Sequence, residues 1–272
     1  MTSVRLRIDL AYDGEPWAGF ARQPDRLTVQ GTLEGALTRI TGQPVASVCA
    51  GRTDRGVHAI AQVVHVDLDR AHPRVARATH DLEVLRFRLD RMVGDAITIW
   101  QVREVGDDFS ARFSATERGY RYRLVDGEVV DPIRRHDRWH VGEPLGVPAM
   151  RAGAKLLLGE HDYAAFCRNR QRRTTVRRLD EVTLTRPQPG TIHVRLAGPA
   201  FCHQMVRAIV GCLVEVGLGK ESPDWIGEVL LAQDRSLAAR VAPAHGLTLE
   251  RVGYGRRYPA APPASGRRGG AD

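Results

Sequence analysis

Alternation between a two-residue and a 3.6-residue apolar period constrains this chain more than any other feature. Val4, Leu6, Ile8 and Leu10 alternate with Arg5, Arg7 and Asp9, the pattern of a strand with one apolar and one wet face. After a Gly/Pro/Asp-rich loop through Phe20, Val29, Leu33, Leu37 and Ile40 recur at helical spacing behind Thr28, a side chain able to cap a helix start. A short strand over 45–49, the polar loop GRTDRGVH, a strand over 60–68, a helix around Leu82, Leu85 and Leu89, and a strand containing Ile97, Ile99 and Val102 carry the alternation on. Neighbouring strands are also joined by short loops. The expectation is therefore an α/β (α+β) fold with a mixed or mostly antiparallel sheet covered by helices, rather than a doubly wound parallel one.

The second half repeats the theme. A strand carries Tyr120, Tyr122 and Leu124, a helix spans 150–158, and strands cover 181–184 and 192–196. A helix over 201–216 places Phe201, Met205, Ile209, Leu213 and Val216 on one face. The expected organisation is an N-terminal α/β domain, 1–107, and a C-terminal α/β domain, 108–255. Residues 256–272, RRYPAAPPASGRRGGAD, lack large aliphatic side chains and read as a disordered tail.

A chain of 272 residues can bury a full core without staples. Its 40 Lys and Arg against 32 Asp and Glu give a formal charge of +8, which favours an acidic partner, most commonly nucleic acid. The cysteines, at 49, 167, 202 and 212, are scattered. No pair has zinc-knuckle or redox-motif spacing, so all four read as reduced core thiols. Cys202 and His203 are adjacent, but neighbours on a helix point about 100° apart and no second ligand pair follows, so no metal is expected. The opening MTSVRLRIDL carries charges throughout and does not read as a signal peptide. No stretch approaches the ~20 apolar residues of a membrane span, and the expected compartment is the cytoplasm.

Reactive side chains are densest in AGRTDRGVHA, 50–59, between two expected strands. Such loops place polar groups at the rim of a rigid sheet, where binding and catalytic residues often sit. Arg52, Asp54, Arg55 and His58 are available there, with Gly51 and Gly56 to bend the chain. From the residues alone a Gly-bounded hairpin turn, with Asp54 as its capping side chain, is as good a reading.

A wider pattern separates the two. GRTDRGVHAIAQVVHVD resembles the signature of the TruA family of tRNA pseudouridine synthases. Its neighbours agree in order: YDGEPWAGFARQP with TVQGTLEGALTRI, FSARFSATERGYRYRL, GEHDYAAFC, FCHQMVRAIVGCLVEVG and APAHGLTLERVGY. Ordered segments of this kind are far more specific than one motif. The resemblance implies a pseudouridine synthase fold of two related domains with helices on one face of each sheet, and a catalytic cleft between them. It also implies a cytoplasmic homodimer acting on the anticodon arm of tRNA at positions 38, 39 and 40, with no DNA or membrane partner. The chain departs from the family pattern at Arg55, usually Ala; at Asp90, usually Asn; at Gly94, near a usual Pro; and at Ala21, frequently Gln.

Uridine becomes pseudouridine when the N1–C1′ bond breaks, the base turns and C5 joins C1′. Atoms balance, so no cofactor is expected. The chemistry needs a carboxylate that attacks sugar or base, or takes a proton; by resemblance it is Asp54, as nucleophile. Arg207 matches the family arginine that pairs with that carboxylate, although spacing alone makes it the wet edge of an amphipathic helix. Tyr120 matches the tyrosine that stacks on the target base, worth ~1–3 kcal/mol; without the resemblance, Tyr120 and Tyr122 read as a core pair. Extruding the base costs a few kcal/mol. By the same resemblance Arg52 fills or props the vacated space; His58, close by in sequence, and Arg55, an added charge beside the carboxylate, read as substrate contacts, and Arg52 and His58 could instead contact phosphate. The run RNRQRRTTVRR, 168–178, with Arg168, Arg170, Arg172 and Arg173, reads as a phosphate-tracking surface or a solvated loop. An RNA-binding module without catalysis would not need an Asp flanked by Arg in a tight loop. Base-exchanging transglycosylases would carry a Cys/His zinc cluster, and a nuclease would need converging carboxylates.

Overall fold

The structure, a computed structural model, describes residues 3–129, 131–168, 174–256 and 258. The first half runs β1 (Ser3–Tyr12), α1 (Val29–Thr41), β2 (Ser47–Cys49), β3 (His58–Asp69), α2 (Pro73–Thr79), α3 (Leu82–Val93) and β4 (Ile97–Val105). The second runs β5 (Glu117–Val125), β6 (Trp139–His140), α4 (Val147–Lys155), β7 (Gly159–Asp162), β8 (Val176–Leu179), β9 (Glu181–Gln188), β10 (Thr191–Gly198), α5 (Met205–Gly217), α6 (Trp225–Ala232) and β11 (Leu247–Gly253).

One mixed sheet takes strands from both halves, in the order β4-β1-β3-β11-β5-β10-β9, with β2 added to β3 and β6 to β5. Pairings are antiparallel except β11 with β3 and β5 with β6; β9 and β10 are joined by a tight turn. The halves meet where Thr248 lies opposite His58 and Leu249 opposite Ala59. β7 and β8 form a separate hairpin.

The period-two pattern of β1 sorts the two faces of the sheet. Leu6, Ile8 and Leu10 are fully buried with Leu33 and Leu37 of α1 and Leu85 and Leu89 of α3, each large side chain worth about 1.5–3 kcal/mol when removed from water. Arg7 and Asp9 point to the other face. They pair there at 2.6 Å, and the Arg7 guanidinium stacks 4.7 Å from the Tyr254 ring. A groove of about 580 Å³ runs along this polar face past Arg7, Arg121, Arg195 and Glu250.

Thr28 caps α1 as its position suggested, accepting from the Gly31 amide at 3.2 Å. Other boundaries differ from the sequence reading. α5 starts at Met205 rather than at 201, because Gln204 takes a left-handed conformation with φ 66°. α4 ends at Lys155 rather than 158. α2, α6 and β11 were not legible as elements: α2 and α6 are only 7 and 8 residues long, and the alternation in β11 is brief. At the departures from the family pattern, Asp90 accepts from the Ile99 amide at 2.8 Å and Gly94 closes α3 with φ 81°, a conformation proline cannot adopt.

The reading of four reduced cysteines is corrected. Cys167 and Cys202 form a disulfide with Cα atoms 5.6 Å apart, while Cys49 and Cys212 are free. The partners lie 35 residues apart in sequence, so close-spacing rules could not find them; the fold brings them to bridging distance. The expected disordered tail is still attached at Tyr258, whose ring packs 4.9 Å from Phe109; residues 257 and 259–272 lie outside the described residues. No helix among the described residues is long and apolar enough to cross a membrane.

Candidate active site

The loop carrying Asp54 leaves β2 and enters β3, and contacts from several elements fix its shape. Gln62 donates to the Gly51 carbonyl at 2.7 Å and to the Tyr12 hydroxyl at 3.2 Å. That hydroxyl shares a 2.8 Å hydrogen bond with Thr53. The Phe20 amide donates to the Thr53 carbonyl at 3.1 Å, and the turn closes with the Val57 amide donating to the Asp54 carbonyl at 3.1 Å. Gly14 permits the approach of the neighbouring loop, since a Cβ there would stand 2.2 Å from the Val57 carbonyl oxygen. From the other half of the sheet, buried Arg118 donates twice to the Ala50 carbonyl and also to the carbonyls of Arg112, Ala115 and Pro199. A loop held this way presents its carboxylate in one orientation.

Both oxygens of that carboxylate face a base from the second half. Arg207, in the first turn of α5, places Nη1 2.9 Å from Asp54 Oδ2, and its Nε donates to the Ala242 carbonyl at 2.8 Å. The segment that supplies Ala242 is itself clamped. Tyr122 donates to the Pro243 carbonyl at 2.7 Å, and Gly211 of α5 lets the Arg240 carbonyl approach where a Cβ would sit 2.2 Å away. His203 places Nε2 3.0 Å from Asp54 Oδ1. Side-chain exposures of 25% for Asp54, 15% for Arg207 and 47% for His203 give the site a closed side at Arg207 and an open side at His203.

Tyr120 and Tyr122 share a face of β5, as alternation requires. Tyr120 is buried beneath Phe201, ring edge to ring face at 5.0 Å. Its hydroxyl stands over Gly51. Burial pushes the phenol up to about 12, and the Asp54 charge adds to the rise while Arg118 opposes it. A base stacking on this ring would displace Phe201, which is half-buried.

The other sequence candidates divide. Arg52 and Arg55 are exposed beside Asp54, and Arg55 lines a shallow depression of about 250 Å³ with Trp17, Arg26 and Leu27. His58 turns away: its Nδ1 accepts from the Gly14 amide at 3.1 Å and sits 3.1 Å from Asp13 Oδ1. Arg168 has an exposed side chain, and its amide donates to the His203 carbonyl at 2.9 Å. Arg170, Arg172 and Arg173 lie outside the described residues. Among the described residues, no group of three or more His, Cys, Asp or Glu is placed to hold a metal ion.

The sequence reading missed His203 as a partner of Asp54, having weighed it only as a metal ligand. The signal available was only proximity in the FCHQMVR segment that also holds Arg207; His203 stands before the start of α5 and not on it.

Comparison with known proteins agrees over nearly the whole chain. The family model described as tRNA pseudouridine synthase matches residues 10–114 and 154–255. A tRNA pseudouridine synthase A of Frankia casuarinae is 47% identical over 266 residues, covering 97% of this chain and 93% of its own. That of Streptomyces avermitilis is 45% identical, covering 92% and 88%. That of Brevibacillus brevis is 41% identical, covering 92% and 99%.

Proposed function

This chain belongs to the tRNA pseudouridine synthase family and isomerises uridine in tRNA, and we propose that it acts on uridines 38, 39 and 40 of the anticodon arm with Asp54 as nucleophile. The observation that carries the reading is a carboxylate fixed on a loop of one half of the sheet and paired at 2.9 Å with an arginine from the other. Arginine suits that task because it keeps its charge at all working pH values and its donors lie in one rigid plane.

The two halves, 1–107 and 108–255, form the walls of the site, with Asp54 and Arg52 on one and Tyr120, His203 and Arg207 on the other. The target uridine leaves the stack and enters at the open side of Asp54. Its base displaces Phe201 and lies on Tyr120, an aromatic face that tolerates the base in both orientations. Arg52, exposed beside the carboxylate, fills the gap left in the RNA. Asp54 bonds C1′ as the N1–C1′ bond breaks, the base turns on Tyr120, C5 joins C1′ as the Asp54–C1′ bond breaks and frees the carboxylate, and the C5 proton passes on so that N1 ends protonated. Nothing enters or leaves the balance, so the reaction needs no oxidant, reductant or co-substrate.

Arg55 and His58 flank the entry. Arg168, Arg170, Arg172 and Arg173 follow the phosphates, positioning the arm by shape and charge without reading bases. The enzyme works as a cytoplasmic homodimer that grips tRNA across both subunits, an oligomeric state that sedimentation would check.

Asp54→Asn tests the reading. It keeps size and most hydrogen bonding while removing charge and nucleophilicity. Affinity for an unmodified tRNA transcript should stay within a few-fold, the melting temperature should hold, and pseudouridine at 38–40 should vanish. Pseudouridine formed by the folded variant, with back-deamidation excluded by mass spectrometry, would refute Asp54 as nucleophile. Modification mapped elsewhere in the tRNA would refute the sites.

A further inference from the structure

We infer that His203 is a positioning residue of this reaction: it holds Oδ1 of Asp54 in the free enzyme and must release it before the carboxylate can reach the ribose. The inference rests on Asp54 being the nucleophile.

The two oxygens of Asp54 are not equivalent. Oδ2 faces Arg207 on the closed side, and the guanidinium is anchored a second time through Nε to the Ala242 carbonyl. Moving it would break two hydrogen bonds at once. Oδ1 faces the open side, where its partner is the half-exposed His203. Substrate arriving from solvent therefore meets Oδ1 first, and meets it already engaged.

The backbone around His203 is pinned while its side chain is not. Cys202 is tied to Cys167, the His203 carbonyl accepts from the Arg168 amide at 2.9 Å, and the Gln204 side chain accepts from Arg235 at 2.9 Å. Release is then a rotation of one imidazole into water, not a loop motion. Side-chain rotation of that kind takes picoseconds to nanoseconds at an exposed position, so it does not itself limit turnover; what matters is how strongly the imidazole holds on.

That strength depends on protonation. A neutral imidazole offers Oδ1 a single N–H bond, whereas an imidazolium adds the attraction of opposite charges to it. The charged and titratable groups on the surrounding elements are Arg52, Asp54, Arg55 and His58 on the loop, Tyr120 on β5, Arg168, Arg207 on α5, and Arg235. Among these described residues Asp54 is the one acid, and it stands 3.0 Å from His203 Nε2. The other imidazole, His58, is turned to Gly14 and Asp13. Acid should therefore slow the chemical step through His203 while leaving RNA binding to the arginines.

The experiment is a single-turnover rate measured with enzyme in excess on an unmodified tRNA transcript, from pH 7.5 to 5.5, with tRNA affinity and melting temperature determined at each pH. The wild-type rate should fall across the range, since an imidazolium holds Oδ1 more firmly than a neutral imidazole. His203→Gln keeps a neutral donor that does not titrate, and its rate should fall less than about twofold. Should the Gln variant not fold, His203→Asn carries the same expectation. A folded Gln or Asn variant that keeps the full wild-type fall overturns the inference. So does one that binds tRNA but forms no pseudouridine at pH 7.5, which would give His203 a part in the chemistry itself, and so does loss of the acid limb in His58→Gln alone. Asp54→Asn run beside them separates the levels: pseudouridine from that variant would overturn the nucleophile assignment instead.

Discussion

Arg207→Met removes the cation from the closed side of Asp54 while keeping a side chain of similar length and good helix propensity. Two contacts go with it, the 2.9 Å bond to Oδ2 and the 2.8 Å bond to the Ala242 carbonyl. They have separate readouts. A hydrogen bond between charged groups contributes about 1.5–3 kcal/mol; because Asp54 is one-quarter exposed, a value near the lower middle, ~2 kcal/mol, is the reasonable expectation. If that energy serves to aim the carboxylate, its loss belongs to the reacting state and not to tRNA binding. At ~1.4 kcal/mol per decade it slows turnover about 30-fold with affinity unchanged. The orphaned Ala242 carbonyl costs a further ~1–3 kcal/mol of stability if water does not reach it, and this appears in the melting temperature. Arg207→Lys separates the two effects, since an ammonium keeps the charge but cannot span both acceptors in the guanidinium's planar geometry. Lysine should melt as the methionine variant does and turn over between it and wild type. Single-turnover rates, normalised to folded protein and measured with tRNA affinity, decide the matter. Wild-type turnover in Arg207→Met, or a lysine variant as slow as methionine, would show that the pair is structural.

Three further outcomes follow from other parts of the molecule. Reducing the Cys167–Cys202 link frees a loop of 35 residues, which the chain-entropy view makes worth about 3–4 kcal/mol, so dithiothreitol should lower the melting temperature by several degrees, and an unchanged value would mean the bond contributes nothing to stability. Burial, assisted by Arg121, Arg123 and Arg195, lowers His193 to about 4; the unfolded chain then binds a proton that the folded protein refuses, so stability is full above about pH 6.5 and drains as pH falls towards 4. His193→Gln should flatten the decline in urea midpoint over that window, and a decline parallel to wild type would refute the assignment. Neutralising Arg172 and Arg173 should flatten the fall of tRNA affinity with salt by about 0.7–0.9 in log–log slope per lost phosphate contact; an identical slope would return that run to the solvated-loop reading.

What the sequence disclosed and what it hid divide along a physical line. β1 was legible because each of its side chains faces one side or the other by simple alternation, and α1 because four apolar residues and a capping Thr28 lie within one local stretch. The Asp54 loop was legible as a cluster, but its residues alone could not choose between a turn and a site. That choice depends on Gln62, Tyr12 and Arg118, which reach the loop from three other strands. The disulfide was hidden for the same reason. Cys167 and Cys202 approach only because the segment after β7 folds back over the start of α5, and His203 was hidden behind a helix drawn four residues too long.

The placement of the site ties chemistry to the joint between the two halves. β11 meets β3 through two residue pairs, and one of them includes His58, four residues beyond Asp54. Arg118 reaches from β5 to the Ala50 carbonyl just before the loop, while Ala242 and Pro243, a few residues before β11, hold Arg207 and Tyr122. The carboxylate and its two bases are thus registered by the same few contacts that join the sheet. A change in the seam far too small to unfold either half would still alter a 2.9 Å contact on which alignment depends, and misplacement of a reacting group by about 1 Å can cost two orders of magnitude in rate. Arg118→Met strips the donor from the Ala50, Arg112, Ala115 and Pro199 carbonyls and so should lower the melting temperature, but it should also cut turnover per folded molecule with tRNA affinity unchanged. Wild-type turnover per folded molecule would show that the loop is not registered by the seam.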